Sequence, residues 1–128
     1  IRRPPRSTLD RSSAASDVYK RQIFCPHPTL DKHPTHRKIS EIILENLKNR
    51  KIKIFFYEVW GAFIKYDHYV NIDKVIKKKV KMVNFHKSQI YYKDYALGIA
   101  GLNHYHAVFN DFGKEKIQYI EVFVENIT

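Results

Sequence analysis

His33 and His36, in the run Asp31-Lys32-His33-Pro34-Thr35-His36-Arg37, are the residues of this chain best placed to do chemistry. Two imidazoles three residues apart can converge on one metal ion or one substrate, one as a ligand and the other as a hydrogen-bond donor. The bland alternative for a His-x-x-His pair is a loop-and-cap feature with solvated rings, and spacing alone does not choose between them. Asp31, just ahead of the pair, and Thr35, between its members, are the polar groups nearest in sequence that could orient a ligating ring.

The flanking residues indicate how the pair is held. Pro34 follows His33 directly, and proline is favoured at the first position of a helix, where its fixed φ suits the turn. Beyond it Ile39, Ile42, Ile43 and Leu47 recur at helical spacing, with Arg37, Lys38, Glu41, Glu45 and Lys48 turned the other way. That pattern predicts an amphipathic helix over 35–49 with His36 in its first turn. Ile23-Phe24-Cys25 reads as a short strand, and 51–57, rich in β-branched and aromatic residues, as the next one. The two should be parallel, because a helical crossover returns the chain in the same direction. Ligands of such sheets gather at the carboxyl ends of the strands, where both His33 and the segment 58–60 fall. Residues 66–72 read as a short excursion or an edge strand, 73–86 and 88–103 as helices, and 117–125 as a last strand. Gly98 and Gly101 leave the end of the second of these helices open.

Read in order, the His33-Pro34-Thr35-His36-Arg37 segment is followed by Tyr57-Glu58-Val59-Trp60 and by His86-Lys87-Ser88-Gln89. Gly101-Leu102-Asn103-His104-Tyr105 and Ile120-Glu121-Val122-Phe123 complete the series. This succession resembles the C-terminal half of the PIG-L (LmbE-like) N-acetylglucosaminyl deacetylases. Those enzymes carry His-Pro-Asp-His-Arg, Tyr-Glu-x-Trp, His-x-Ser-Gln, Gly-Leu-Asn-x-Tyr-Arg and Glu-x-Phe segments. The resemblance spans residues 23–128, and five ordered matches are more specific than any one. It implies an α/β class: part of a Rossmann-like (LmbE-like) three-layer domain, truncated at its N-terminus.

It also implies a zinc-dependent hydrolase that removes the acetyl group from an N-acetylated amino sugar or glycoconjugate. By position, His36 would be a zinc ligand, and His33 would stabilise charge on the amide oxygen of the tetrahedral intermediate. Asp31 and Thr35 would support these rings, and Glu58 and Trp60 would contact substrate. Two departures stand out. Thr35 occupies the place of the family's aspartate, and a hydroxyl orients an imidazole less well than a carboxylate; His106 occupies the place of its arginine. The Pro-His-Pro-Asp-Asp-Glu segment that supplies the remaining zinc ligands and the base has no counterpart. Cys25-Pro26-His27-Pro28-Thr29-Leu30 lacks both aspartates, so His27 reads as a loop residue. The fragment is therefore expected to be inactive by itself and to bind zinc weakly.

Residues 1–22 read as translated sequencing-adapter DNA, expected to be disordered. Ser12 to Gln22 translates a transposase-type adapter through its mosaic end, and Ile1 to Thr8 translates a flow-cell adapter. The natural N-terminus is on this reading absent, and the domain is confined to 23–128. The block also inflates the charge. It holds six basic residues against two acidic ones, which leaves +6 of the formal +10.

That remainder is concentrated in Lys74, Lys77, Lys78, Lys79 and Lys81, interleaved with Val75, Ile76, Val80, Met82 and Val83. An alternative function follows: a basic nucleic-acid- or membrane-surface-binding module using the Lys74–Lys81 helix. A solvated helix face over an apolar core face explains the pattern more simply. No recognisable nucleic-acid motif accompanies it, so no nucleic-acid partner is expected. Cys25 is the sole cysteine, which excludes an intrachain disulfide and is compatible with a cytoplasmic location. No apolar run approaches the roughly 20 residues of a membrane span. Oligomeric state is not legible. Trp60 and the Tyr91-Tyr92 pair read as core or rim packing ahead of a platform for a sugar ring, and His86, His104 and His106 as solvated or hydrogen-bonded groups near helix ends.

Overall fold

In the computed structural model, which describes residues 21–127, the chain runs β1 (Gln22–Pro26), α1 (Pro34–Leu47), β2 (Lys53–Tyr57), β3 (His68–Asn71), α2 (Ile76–Asn84), α3 (Lys87–Ile90), α4 (Tyr95–Val108) and β4 (Ile120–Ile127). The expectation of disorder over 1–22 falls, for 1–20, outside the described residues. Gln22 opens β1, opposite Lys53.

The strands form one mixed sheet in the order β1-β2-β4-β3. β1 and β2 are parallel, with Ile23 beside Ile54 and Cys25 beside Phe56, as the α1 crossover requires. β4 runs antiparallel to both of its neighbours, and β3 is the edge strand. Strand alternation sends Cys25, Ile54, Phe56, Ile120 and Val122 to one face, where none is more than 4% exposed. Ile43, Leu44 and Leu47 of α1 and Ala107 of α4 pack there. The opposite face carries Phe24, Phe55 and Phe123, whose rings lie 5.3 to 6.4 Å apart. Phe24 remains 52% exposed. The described residues thus give an α/β fold with α1 and α4 on one side of the sheet, two layers where three were expected.

α1 is rotated away from its expected face. Ile39 and Ile42 are each 47% exposed, while Ser40 is fully buried among the contact residues. Its hydroxyl donates to the Pro26 carbonyl at 2.6 Å and lies 3.1 Å from that of His36. A small side chain at this position lets the helix approach the end of β1, and a periodicity count that scores serine as polar misses it.

The helix expected over 88–103 is two helices. After the single turn of α3 the chain bends, and α4 starts afresh at Asp94, whose Oδ1 accepts from the Leu97 N–H at 2.9 Å. α4 then passes through Gly98 and Gly101 to Val108, carried by the burial of Ala96, Asn103 and Ala107. α2 starts later than expected because Asp73 is committed elsewhere. Its carboxylate accepts from the backbone N–H groups of Gln118 and Tyr119, just ahead of β4. No described helix is long and apolar enough to cross a membrane.

Candidate functional site

The loop from β1 to α1 is wound around two side chains. His27 accepts the backbone N–H groups of Thr29 and Leu30 on Nδ1, at 3.2 and 3.1 Å. Its ring packs on Phe56 and Phe63. Burial pushes its pKa down, which favours the neutral ring that an accepting Nδ1 requires. His27 is thus a loop residue.

Asp31 is the second such side chain, and it is only 3% exposed. Oδ1 accepts from the His33 N–H at 2.7 Å. Oδ2 accepts from the Trp60 N–H at 3.4 Å and lies 3.2 Å from Nδ1 of His36. One buried carboxylate therefore fixes the entry to α1, a ring in its first turn and the loop that leaves β2. That second loop comes very close: a Cβ on Gly61 would stand 2.2 Å from the Leu30 carbonyl oxygen.

His33 is the N-cap residue of α1 with extended backbone, and Pro34 follows at the first helical position, as expected. The His33 and His36 rings lie 4.5 Å apart, and His33 is 6.1 Å from Trp60. With Nδ1 of His36 against Asp31, its Nε2 makes no hydrogen bond among the described residues. A carboxylate behind an imidazole fixes the tautomer and raises the basicity of the other nitrogen, the arrangement that suits a metal ligand. Thr35, expected to share this supporting role, is exposed on α1, and its hydroxyl makes no hydrogen bond among the described residues. Nδ1 of His33 is buried without a hydrogen-bond partner, the sole such side-chain atom among the described residues. Leaving a buried polar atom unpaired costs about 1–3 kcal/mol.

His36 and Trp60 open on a cleft of about 760 Å³, walled by Val59, Val83, Ile90, Tyr95, Ile99 and Leu102. That volume lies in the range of small-molecule sites. The Trp60 ring stands 5.8 Å from Tyr95, and Lys93 Nζ lies 6.0 Å from its centroid. α2 is pinned as one wall by Lys79, whose Nζ donates to Asn103 and Glu121 at 2.9 Å each. Asn103 in turn donates to the Ile120 carbonyl at 2.8 Å.

Glu58 is not on the cleft. Its side chain is 6% exposed and turns inward, accepting the Phe63 N–H and lying 2.9 Å from Nε2 of His106. Burial, only partly offset by these partners, pushes its pKa up. The expected substrate contact is therefore a structural tie between the end of β2 and α4. His106, 5% exposed near the end of α4, is the hydrogen-bonded of the two readings given for it, not the solvated one.

The geometry brings together Asp31, His33, His36 and Trp60 and excludes Glu58 and Thr35. Sequence reasoning missed Tyr95 and Lys93, which lie on the turn and helix start that a continuous helix over 88–103 had hidden. Among the described residues, no three His, Cys, Asp or Glu side chains are grouped as a metal ion would need. His36, backed by Asp31, fits the role of one ligand. Family models, curated proteins and solved structures were all compared with the chain, and none matches it.

Proposed function

We propose that residues 23–128 are the C-terminal part of a zinc-dependent N-deacetylase of the PIG-L type, which in its intact form acts on an N-acetylated amino sugar or glycoconjugate. The observation that carries this reading is the pair of imidazoles beside one buried carboxylate, His33 with an unpartnered Nδ1 and His36 with an uncommitted Nε2. They stand at the carboxyl ends of two parallel strands, where α/β sheets bind ligands. Five sequence segments in the family's order add to it.

On this reading Asp31 holds His36 as a metal ligand, and His33 stabilises negative charge developing on the amide oxygen. Zinc, when bound, supplies Lewis acidity toward the carbonyl and the attacking water. Trp60 and Tyr95 offer aromatic faces to a sugar ring. The base and the other ligands belong to an upstream segment. That segment also has a place to pack, since parallel strands are normally covered on both faces and, among the described residues, no helix packs on the Phe24-Phe55-Phe123 face and Phe24 stays exposed.

The test is to extend the gene upstream, express the intact protein and assay release of acetate from an N-acetylglucosaminide with and without chelator. Chelator-sensitive turnover is expected, lost on His36→Ala together with the metal, and lost on His33→Ala with the metal retained. An intact protein without such turnover, or with metal loading indifferent to His36→Ala, refutes the reading.

A further inference from the structure

The segment from Lys74 to Lys93 holds seven lysines and no acidic residue. Of these, only Lys79 is engaged in an ion pair among the described residues, with Glu121. Unbalanced charge of this kind attracts anions. The same region carries large apolar side chains that the fold does not cover. Met82 is 66% exposed, Phe85 67%, Tyr91 80%, Tyr92 82% and, at the start of α4, Leu97 70%.

These residues are not scattered. Each adjoins in sequence a residue that lines the cleft: Met82 beside Val83, Phe85 beside His86, Tyr91 beside Ile90, Tyr92 beside Lys93 and Leu97 beside Gly98. The exposed apolar groups thus lie on the same elements that wall the cleft, α2, α3 and the start of α4, without lining it themselves. On α2, Lys78, Met82 and Phe85 are spaced i, i+4, i+7 and so share one exposed helix face, with Ile76, Lys79, Val80 and Val83 turned inward. Lysine and apolar residues on one exposed face, with tyrosines at its end, match the needs of a lipid–water boundary. Aromatic and aliphatic tips enter the headgroup region while ammonium groups stay at the phosphate level.

We propose that the surface formed by the exposed face of α2, by α3 and by the start of α4 docks on an anionic membrane surface. The charge complementarity of an acid-free lysine array selects anionic headgroups over zwitterionic ones. Met82 and Leu97 select a membrane over a nucleic acid, because neither aliphatic side chain offers a stacking face or a phosphate contact. The inference stands on surface composition and is independent of the deacetylase reading.

Vesicle sedimentation of the full 128-residue chain tests it. Vesicles of phosphatidylcholine with roughly one-third phosphatidylserine should bind the chain, and pure phosphatidylcholine vesicles should not. Charge reversal by Lys78→Glu with Lys81→Glu should weaken binding by at least about twentyfold, since each basic residue near such a surface contributes about fivefold. Lys114→Glu with Lys116→Glu makes the same change in net charge outside these elements, between α4 and β4, and should have little effect. Phe85→Ser with Tyr91→Ser and Tyr92→Ser keeps the charge and should also weaken binding severalfold; all three side chains are exposed, so the fold tolerates the change. The proposal fails if the chain ignores anionic vesicles, if both charge reversals weaken binding equally, or if the serine triple variant binds like the original. It fails too if a DNA duplex binds more tightly than the vesicles and competes them off.

Discussion

Oδ2 of Asp31 lies 3.2 Å from Nδ1 of His36 while the same oxygen accepts the Trp60 N–H, so the ring and the tryptophan loop share one anchor. The rest of that carboxylate holds the His33 backbone. Three candidate site residues from two loops thus depend on a single side chain that itself lies out of solvent. The position of any ligand on His36 is set by a group that touches no ligand.

Asp31→Ala should destabilise the chain by about 3 kcal/mol, because it leaves two backbone donors and a ring nitrogen without their acceptor in a part-buried loop. Asp31→Asn keeps one acceptor oxygen and should cost about 1 kcal/mol. Urea denaturation of the two variants measures the difference. Equal losses would mean that Asp31 fills space and does not organise the loops through its oxygens.

Gly61→Ala should cost more than an ordinary surface substitution, about 2–3 kcal/mol. A Cβ there would meet the Leu30 carbonyl at 2.2 Å, and the backbone cannot yield without breaking the Trp60 to Asp31 hydrogen bond. The fluorescence of Trp60, the only tryptophan, should change in the folded variant as its loop lifts from Asp31. A stable Gly61→Ala variant with unchanged emission would show that the two loops are not in such close contact.

Much of this arrangement was legible from sequence, and the failures have particular causes. The His-Pro entry to α1 and the parallel β1–β2 pair follow from proline geometry and from a crossover that returns the chain in the same direction, while for β3 the residues left an edge strand and a short excursion both open. The rotation of α1 did not, because burial of Ser40 depends on a carbonyl 14 residues away, at the end of β1. The break at 91–94 was hidden because Asp94 is a cap only if the chain has already stopped being helical at Tyr91. Glu58 was placed at the correct strand end but on the wrong side of it. Its partners, His106 and the Phe63 N–H, are set by tertiary packing that no local pattern reports.

Zinc should stabilise this chain only slightly. One imidazole with a supporting neighbour holds the ion at around millimolar affinity, so about 1 mM zinc should raise stability by less than about 0.5 kcal/mol. Thermal denaturation with and without zinc measures this, and His36→Ala should abolish the small effect. Micromolar affinity in calorimetry that requires both His27 and His36 would point instead to a local metal site that frees His27 from the Thr29 and Leu30 backbone.

Glu58 gives the fold a pH dependence of definite sign. Its carboxyl is pushed up chiefly by burial, so the folded state holds the proton more tightly than the unfolded chain does. The stability tied to that proton is fully present below the ordinary carboxylate value and is lost as pH rises through the raised one. Glu58→Gln cannot ionise, and its amide oxygen still accepts from Phe63. Measured between about pH 4 and 8, the original chain should therefore fall relative to this variant as pH increases, then run parallel to it. Glu58→Ala should be less stable than both by about 2 kcal/mol, since it strands the Phe63 N–H and the buried His106 ring. A difference between the original chain and Glu58→Gln that stays flat, or grows in the opposite direction as pH rises, would show that the His106 contact outweighs burial and holds Glu58 ionised throughout.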